Sequence, residues 1–281
     1  MMMVDAINRL IGVVLDVVRQ VGRGRIWSYL LIYFAVCWLV LYAHYSFTNP
    51  LFGGLIGAWT NLIDSQKATG FTHYRGHFIL LPYFFEWAKL ILSVVLESLL
   101  FGAAAILFYE RFVDVDPDDR FQFSQVVRLW IHLALGLVVI NGIILLANVT
   151  IPGLLKPVLQ YSPRRQLVFH WLGLPALYAV IVGALFYVVP AVAVYRENIL
   201  GAIKRSLRVF WRNPGTSVAM AVLILAVPLF ISNLANTPYI IVDRFRPELI
   251  YYLLLVGVAV DVVVGFFWMG MAVRLLVDQE D

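Results

Sequence analysis

Apolar positions along this chain cluster on the scale of whole spans, in long runs at about Ile26 to Tyr45, Trp87 to Tyr109, Leu129 to Val149, Trp171 to Tyr195, Ser217 to Leu234 and Leu249 to Leu275. At 1.5 Å per residue each run is long enough to cross about 30 Å of hydrocarbon as a helix. The pattern predicts one all-α membrane domain over residues 1–281 with six transmembrane helices. Three shorter segments carry a different pattern. In residues 1–22, Asp5, Asn8, Arg9, Asp16, Arg19 and Gln20 form a polar stripe opposite Ile7, Leu10, Ile11, Val14, Leu15 and Val18. That is the signature of a helix lying in the membrane interface. Acidic residues interrupt its apolar part and no small-residue cleavage site follows, so a signal peptide is not expected. The connection Ser46 to Glu86 carries Leu51, Phe52, Leu55, Ile56, Trp59, Leu62 and Ile63 at near-helical spacing, which predicts a second surface-lying or re-entrant helix on the outer side. The third segment follows the fourth span and is treated below.

Composition agrees with the pattern. The chain is 62% hydrophobic and only 14% charged, against about 25% charged in soluble proteins. A net charge of +4 raises the question of nucleic acid, but the basic residues sit in short groups beside apolar spans, where topology and anionic lipid account for them. No nucleic-acid partner is expected. Of the 21 Lys and Arg, 13 fall on the side of Arg9 to Arg25, Arg111 to Arg128, Arg196 to Arg212 and Arg274, leaving 8 on the other. The positive-inside rule then places both termini in the cytoplasm. Trp27, Trp38, Trp87, Trp130, Trp171 and Trp268 stand mostly near the proposed span ends, as interfacial anchors do. Cys37 is the only cysteine, so the chain builds neither an internal disulfide nor a thiolate metal site.

Candidate chemistry is sparse. Glu97, Asn141 and Asp261 lie near the middle of three different spans, where a charge costs about 2.5 to 3.5 kcal/mol on insertion scales and must face the bundle interior or a wet cavity. No Lys or Arg is expected at matching depth. The two carboxyls are therefore expected to be neutral, to share hydrogen bonds with Asn141, or to bind a cation or proton in turn. His73 and His77 stand four apart, a spacing able to share a transition metal on one helical face, but Gly76 and the missing Glu beside His73 fit a metalloprotease motif poorly. The acidic loop Asp114, Asp116, Asp118 and Asp119 lacks the spacing and glycine of a calcium loop and reads as solvated. His44, His132 and His170 fall at proposed span ends without a recurring pair, which disfavours haem. A glycine-flanked Ser with a mid-depth His, a clustered Arg, His and Asp set, and a P-loop are all missing. No catalytic residues, metal or cofactor are assigned. The expected function is a non-enzymatic scaffold or accessory subunit that organises lipid or a membrane partner, or a homo-oligomer. The alternatives are a permease or channel-like path through Glu97, Asn141 and Asp261, and a lipid enzyme at the inner leaflet.

After the fourth span, Ile199, Leu200, Ile203, Leu207, Phe210 and Trp211 share one face of a predicted helix, with Lys204, Arg205, Arg208 and Arg212 on the other. This predicts an amphipathic helix for an anionic inner leaflet, capped by Asn198, favoured by Glu197 at its N-terminus and ended by Asn213-Pro214-Gly215. These six polar residues, Glu197, Asn198, Lys204, Arg205, Arg208 and Arg212, are the expected lipid or partner contacts. The order Pro190, Glu197-Asn198, then Ala202 and Ser206 resembles the hallmark of a prokaryotic six-span family: the membrane domain fused ahead of some glycerophosphodiester phosphodiesterases, and its free-standing relatives. The resemblance covers about 30 residues and implies a six-helix domain of a prokaryotic inner membrane, with no catalytic residues to carry over. The same segment is also similar in location to the coupling helix of transporter permeases, though without their glycine spacing.

Overall fold

The computed structural model describes residues 2–113, 122–159, 162–235 and 237–279. Six helices among these are long and apolar enough to cross a membrane: Gly24–Tyr45, Tyr74–Val113, Phe123–Pro157, Pro163–Tyr195, Pro214–Ala235 and Leu249–Val277. The described residues contain no strand, and the chain is an all-α, multi-pass membrane protein. In chain order the helices are α1 (Met2–Val18), α2 (Gly24–Tyr45), α3 (Pro50–Ile63), α4 (Ser65–Phe71) and α5 (Tyr74–Leu92). A π-helical turn, Ser93–Glu97, joins α5 to α6 (Ser98–Val113). Then come α7 (Phe123–Leu159), α8 (Pro163–Val168), α9 (Leu174–Leu185), α10 (Val188–Tyr195), α11 (Ile199–Arg212), α12 (Pro214–Ala235), α13 (Pro238–Arg244) and α14 (Leu249–Val277).

The second span starts at Tyr74, thirteen residues before the apolar run suggested. Hydropathy marks where hydrocarbon begins, whereas a helix continues as long as its own backbone bonds are satisfied. The connection between the first two spans folds into two short helices, α3 and α4, where one was expected. Asn49 caps α3 by accepting from the Leu51 N–H at 3.0 Å, and Asp64 caps α4 by accepting from the Gln66 and Lys67 N–H groups. Leu51, Leu55 and Leu62 of α3 are exposed while Ile56 and Thr60 turn inward, the disposition of a helix lying against lipid.

At the other end of the bundle, α1 packs against α14 and α12, while α11 packs against α10 and α9. Arg274 Nε donates to Asp16 Oδ2 at 2.9 Å, and Arg9 donates to Asn213 Oδ1 at 2.5 Å. Asp16 is thus tied to the sixth span instead of facing water. The helix buries Val13 and Val17 against the bundle and leaves Ile7, Ile11 and Leu15 outward. The first described helix and the last turn of α14 are consequently at one end of the molecule.

Inside the bundle, helices gain little from expelling water, because lipid tails are as apolar as their side chains, so close packing carries the association. Glycines set the approach: a Cβ at Gly270 would lie 2.7 Å from Val17, and one at Gly265 would run into the Phe101 ring. The space they leave holds an aromatic column, with Trp27 stacked on Phe266 at 4.6 Å and Phe101 edge-on to Tyr33 and Trp268. Each such pair is worth about 0.5 to 1.5 kcal/mol beyond its burial. Of the glycines on the spans, Gly142 meets nothing within 4 Å, so it serves no internal packing.

The fourth span is broken between α9 and α10, and its repair explains the small residues downstream. Pro190 has no N–H for the Phe186 carbonyl, and the Trp268 indole donates to that oxygen at 2.9 Å. Ser206, fully buried, donates its hydroxyl to the Ala184 carbonyl at 2.7 Å and accepts the Tyr187 N–H at 3.3 Å. Ala202, one turn earlier and also fully buried, keeps α11 close enough for this. The chain then turns at Arg196, which sits in the left-handed region at φ 55°, and Asn198 caps α11 by accepting the Gly201 N–H at 2.8 Å.

Candidate functional site

A cavity of about 340 Å³ lies among the spans, lined by at least one residue from each of the six. Glu97 enters from the π-helical turn, Asn141 from the middle of α7 and Asp261 from the middle of α14. The three residues that the sequence places in separate spans are therefore brought to one place. Ser93 and Glu97, four residues apart, share one wall, and the carbonyls that the π-turn loosens are recovered locally. The Trp130 indole donates to the Val95 carbonyl at 2.9 Å, and the Ser98 hydroxyl donates to the Val94 carbonyl at 2.6 Å.

The polar groups are paired across helices. Lys89 Nζ of α5 stands 2.6 Å from Asp261 Oδ2, and that ion pair is the only partner of this oxygen among the described residues. Tyr33 of α2, almost wholly buried, donates its hydroxyl to Glu97 Oε2 at 3.0 Å. Asn141 donates its amide to Ser93 Oγ at 3.3 Å. Lys89 and Asp261 keep 27% and 23% of their side-chain surface open and both line the cavity, while the paired Asp261 Oδ2 itself is buried. Glu86, an exposed residue one turn before Lys89 on α5, completes the charged lining.

Two sequence expectations fail here. A Lys does stand at the depth of the carboxyls: with the second helix beginning at Tyr74, Lys89 lies roughly 22 Å along it and meets the middle of α14. And Asn141 bonds Ser93 instead of either carboxyl. Trp130 and Trp268 also do other work than interfacial anchoring, since each closes a gap in a neighbouring helix's bonding. Lys89 and Tyr33 escape a sequence reading because Lys89 falls at the very start of the apolar run, where a cation reads as interfacial, and a Tyr in a span gives no sign of what its hydroxyl meets.

A second cavity of about 460 Å³ shares Glu86 and Leu90 with the first and is bordered by Pro82, Trp87, Ala235 and Pro238. It extends from the polar cluster toward the end opposite the termini, where α12 gives way to α13.

The remaining candidates are placed as follows. Asn198 is the helix cap described above. Glu197 Oε1 accepts from Arg205 Nε at 2.9 Å and from its terminal nitrogen at 2.5 Å, while the guanidinium lies 4.0 Å over the Tyr195 ring. These residues fasten α11 to the end of α10. Lys204, Arg208 and Arg212 are exposed. The helix has three sectors instead of the two expected: Ala202, Ser206, Val209 and Phe210 buried in the protein, an outward apolar stripe of Leu200, Leu207 and Trp211, and the basic row between. Phe210 thus belongs to the protein core and not to the lipid face. His73 is exposed before α5, whereas His77 is buried with its ring 4.4 Å from Phe47, so the two imidazoles do not share an environment. No cluster of three His, Cys, Asp or Glu suited to a metal occurs among the described residues. The acidic loop from Asp114 to Asp119 lies outside them.

Comparison of the chain with family models, with curated proteins and with solved structures gives no match.

Proposed function

We propose that this chain is a carrier-like membrane protein that binds a small cationic solute among its spans. The observation that carries the reading is the convergence of Glu97, Asn141 and Asp261, from three distant parts of the sequence, on one cavity lined by all six spans. A cavity of that volume is in the range of small-molecule sites, and ionisable residues inside a membrane mark substrate or ion pathways more often than packing. Three carboxyl groups, Glu86, Glu97 and Asp261, against the single Lys89 give the lining two formal negative charges in excess, which favours a cation. The adjoining cavity past Glu86 supplies an approach from the end opposite the termini. With Lys89 removed from the loop count, the Lys and Arg asymmetry becomes 13 against 7, supporting cytoplasmic termini and a binding site approached from outside. A prokaryotic inner membrane is the setting that fits the resemblance at Pro190 to Ser206.

The test is charge displacement in proteoliposomes on a solid-supported membrane, challenged in turn with alkali cations, methylammonium and guanidinium. At least one of these should give a current that Glu97→Gln and Asp261→Asn abolish. Currents identical to those of empty liposomes for the whole panel would refute the reading.

A second reading, a scaffold that engages lipid or a partner, is favoured by the outer surface of α11, where Leu200 and Trp211 are 74% and 75% exposed beside Lys204, Arg208 and Arg212. Such a surface suits an anionic leaflet. Native mass spectrometry should show retained phosphatidylglycerol that is lost when all three cations are changed to Gln; unchanged retention would end this reading.

A further inference from the structure

At the end opposite the termini lies a separate cavity of about 710 Å³, which shares no lining residue with the intramembrane one. Its walls come from the end of α2, the turn into α3, the start of α5 and the residue before α14. They are unusually aromatic: Tyr45, Phe47, Tyr74 and Phe78, with the His77 ring stacked on Phe47 at 4.4 Å and edge-on to Phe78 at 5.1 Å. Tyr45 and Phe78 stand 6.0 Å apart, and Tyr74 and Phe78 5.6 Å. These rings hold one another in place between the end of α2 with its following turn and the start of α5, so the cage is preformed. Its single formal charge is Glu248, whose Oε1 accepts the Tyr74 hydroxyl at 3.0 Å. That bond fixes both the ring and the carboxylate. Lys67, Arg75, Arg244 and Arg246, the cations nearest to this cavity in sequence, are absent from the lining.

Aromatic faces carry negative charge, and several around one space together with a carboxylate form a site for a positive group whose charge is spread over carbon. Ser46, Thr48, Asn49 and Thr72 also line the space, but a single carboxylate among neutral groups is a poor charge match for a divalent metal ion. An anion would meet Glu248 and the ring faces, both repulsive. We propose that this cavity binds an organic ammonium group, with Glu248 providing the counter-charge and Tyr45, Phe47, Tyr74 and Phe78 the cation–π contacts. His77 borders the same space, but its ring is buried against Phe47, Phe71 and Phe78 and serves as a wall. A quaternary ammonium can come from a free solute or from a choline headgroup of the outer leaflet.

The experiment is calorimetric titration of the full chain in maltoside with choline, with tetramethylammonium and with 3,3-dimethylbutan-1-ol, the uncharged analogue of choline. Choline should bind at least about 10-fold tighter than the neutral analogue, and Glu248→Gln should lower choline affinity by about the same factor. The analogue comparison needs no variant, so it stands even if a substitution impairs folding. In nanodiscs, phosphatidylcholine that weakens tetramethylammonium binding relative to phosphatidylglycerol identifies the headgroup as the natural source; unchanged binding identifies a free solute. Equal affinity for choline and its neutral analogue, or no saturable binding of either cation in detergent and nanodiscs alike, would overturn the assignment.

Discussion

Replacing Lys89 by Met isolates Asp261 in the middle of α14. Removing one partner of a fully buried ion pair costs about 3 to 5 kcal/mol, whereas a solvent-exposed pair is worth about 0 to 1. Lys89 and Asp261 retain 27% and 23% of their side-chain surface, open to the cavity, so the loss should fall between these limits at about 2 kcal/mol. For a chain of this size that is a drop of about 4 to 8 °C in the thermal midpoint, measured by differential scanning fluorimetry or calorimetry in a mild detergent. Asp261→Asn should cost a similar amount by stranding the ammonium. The double variant should recover much of the loss, with a coupling energy of at least about 1 kcal/mol, because two neutral side chains of similar size leave no charge stranded. Strictly additive single effects would show that the two groups do not interact across the cavity, and the account of its charged wall would fail with them.

Other perturbations separate packing from bonding. Ser206→Ala should destabilise by about 1 to 3 kcal/mol, since it strands the Ala184 carbonyl and the Tyr187 N–H at the break in the fourth span; a midpoint within experimental error of the parent would remove Ser206 from that role. Gly265→Ala should cost about 1 to 3 kcal/mol by overpacking against Phe101, while Gly142→Ala, which meets open space, should be tolerated; the reverse order of midpoints would contradict the helix packing. Asp64 is held below the ordinary carboxylate range mainly by the Lys67 backbone N–H and then by the Lys67 side chain. Its contribution to starting α4 is thus complete above the unfolded value of about 3.9 and is lost as the pH falls through the depressed one. Amide exchange at Gln66 and Lys67 should accelerate only in that acidic window, and acceleration already near neutrality would count against the cap.

The spans and the interfacial helices are legible in the sequence because a membrane imposes one strong rule, that backbone polar groups be satisfied within the segment. Glu97, Asn141 and Asp261 stand out for the same reason: polarity is conspicuous against twenty apolar neighbours. Lys89 is hidden because hydropathy places the start of the second span too late, and the π-turn at Ser93–Glu97 leaves no compositional mark at all. Around α11, the cap at Asn198 is visible from residue type. That Ser206 and Trp268 serve the backbone of a different helix is not, since both bonds depend on where Pro190 breaks the fourth span. Pairings between helices decide the polar cluster, and those depend on register and rotation that no single span encodes.

The central claim, that a cavity among the spans admits a water-soluble cation, is tested most directly by cysteine accessibility. Cys37 is the only native cysteine and is buried, so a Cys37→Ser background carrying Asn141→Cys can be exposed in liposomes to a trimethylammonium methanethiosulfonate reagent. Ala104→Cys, at a position with no exposed surface, serves as the control. The account predicts labelling at Asn141→Cys that is slowed by a bound cation, with none at Ala104→Cys until the protein is unfolded. Asn141→Cys that stays as unreactive as Ala104→Cys in the folded protein, yet labels fully after unfolding, would contradict it.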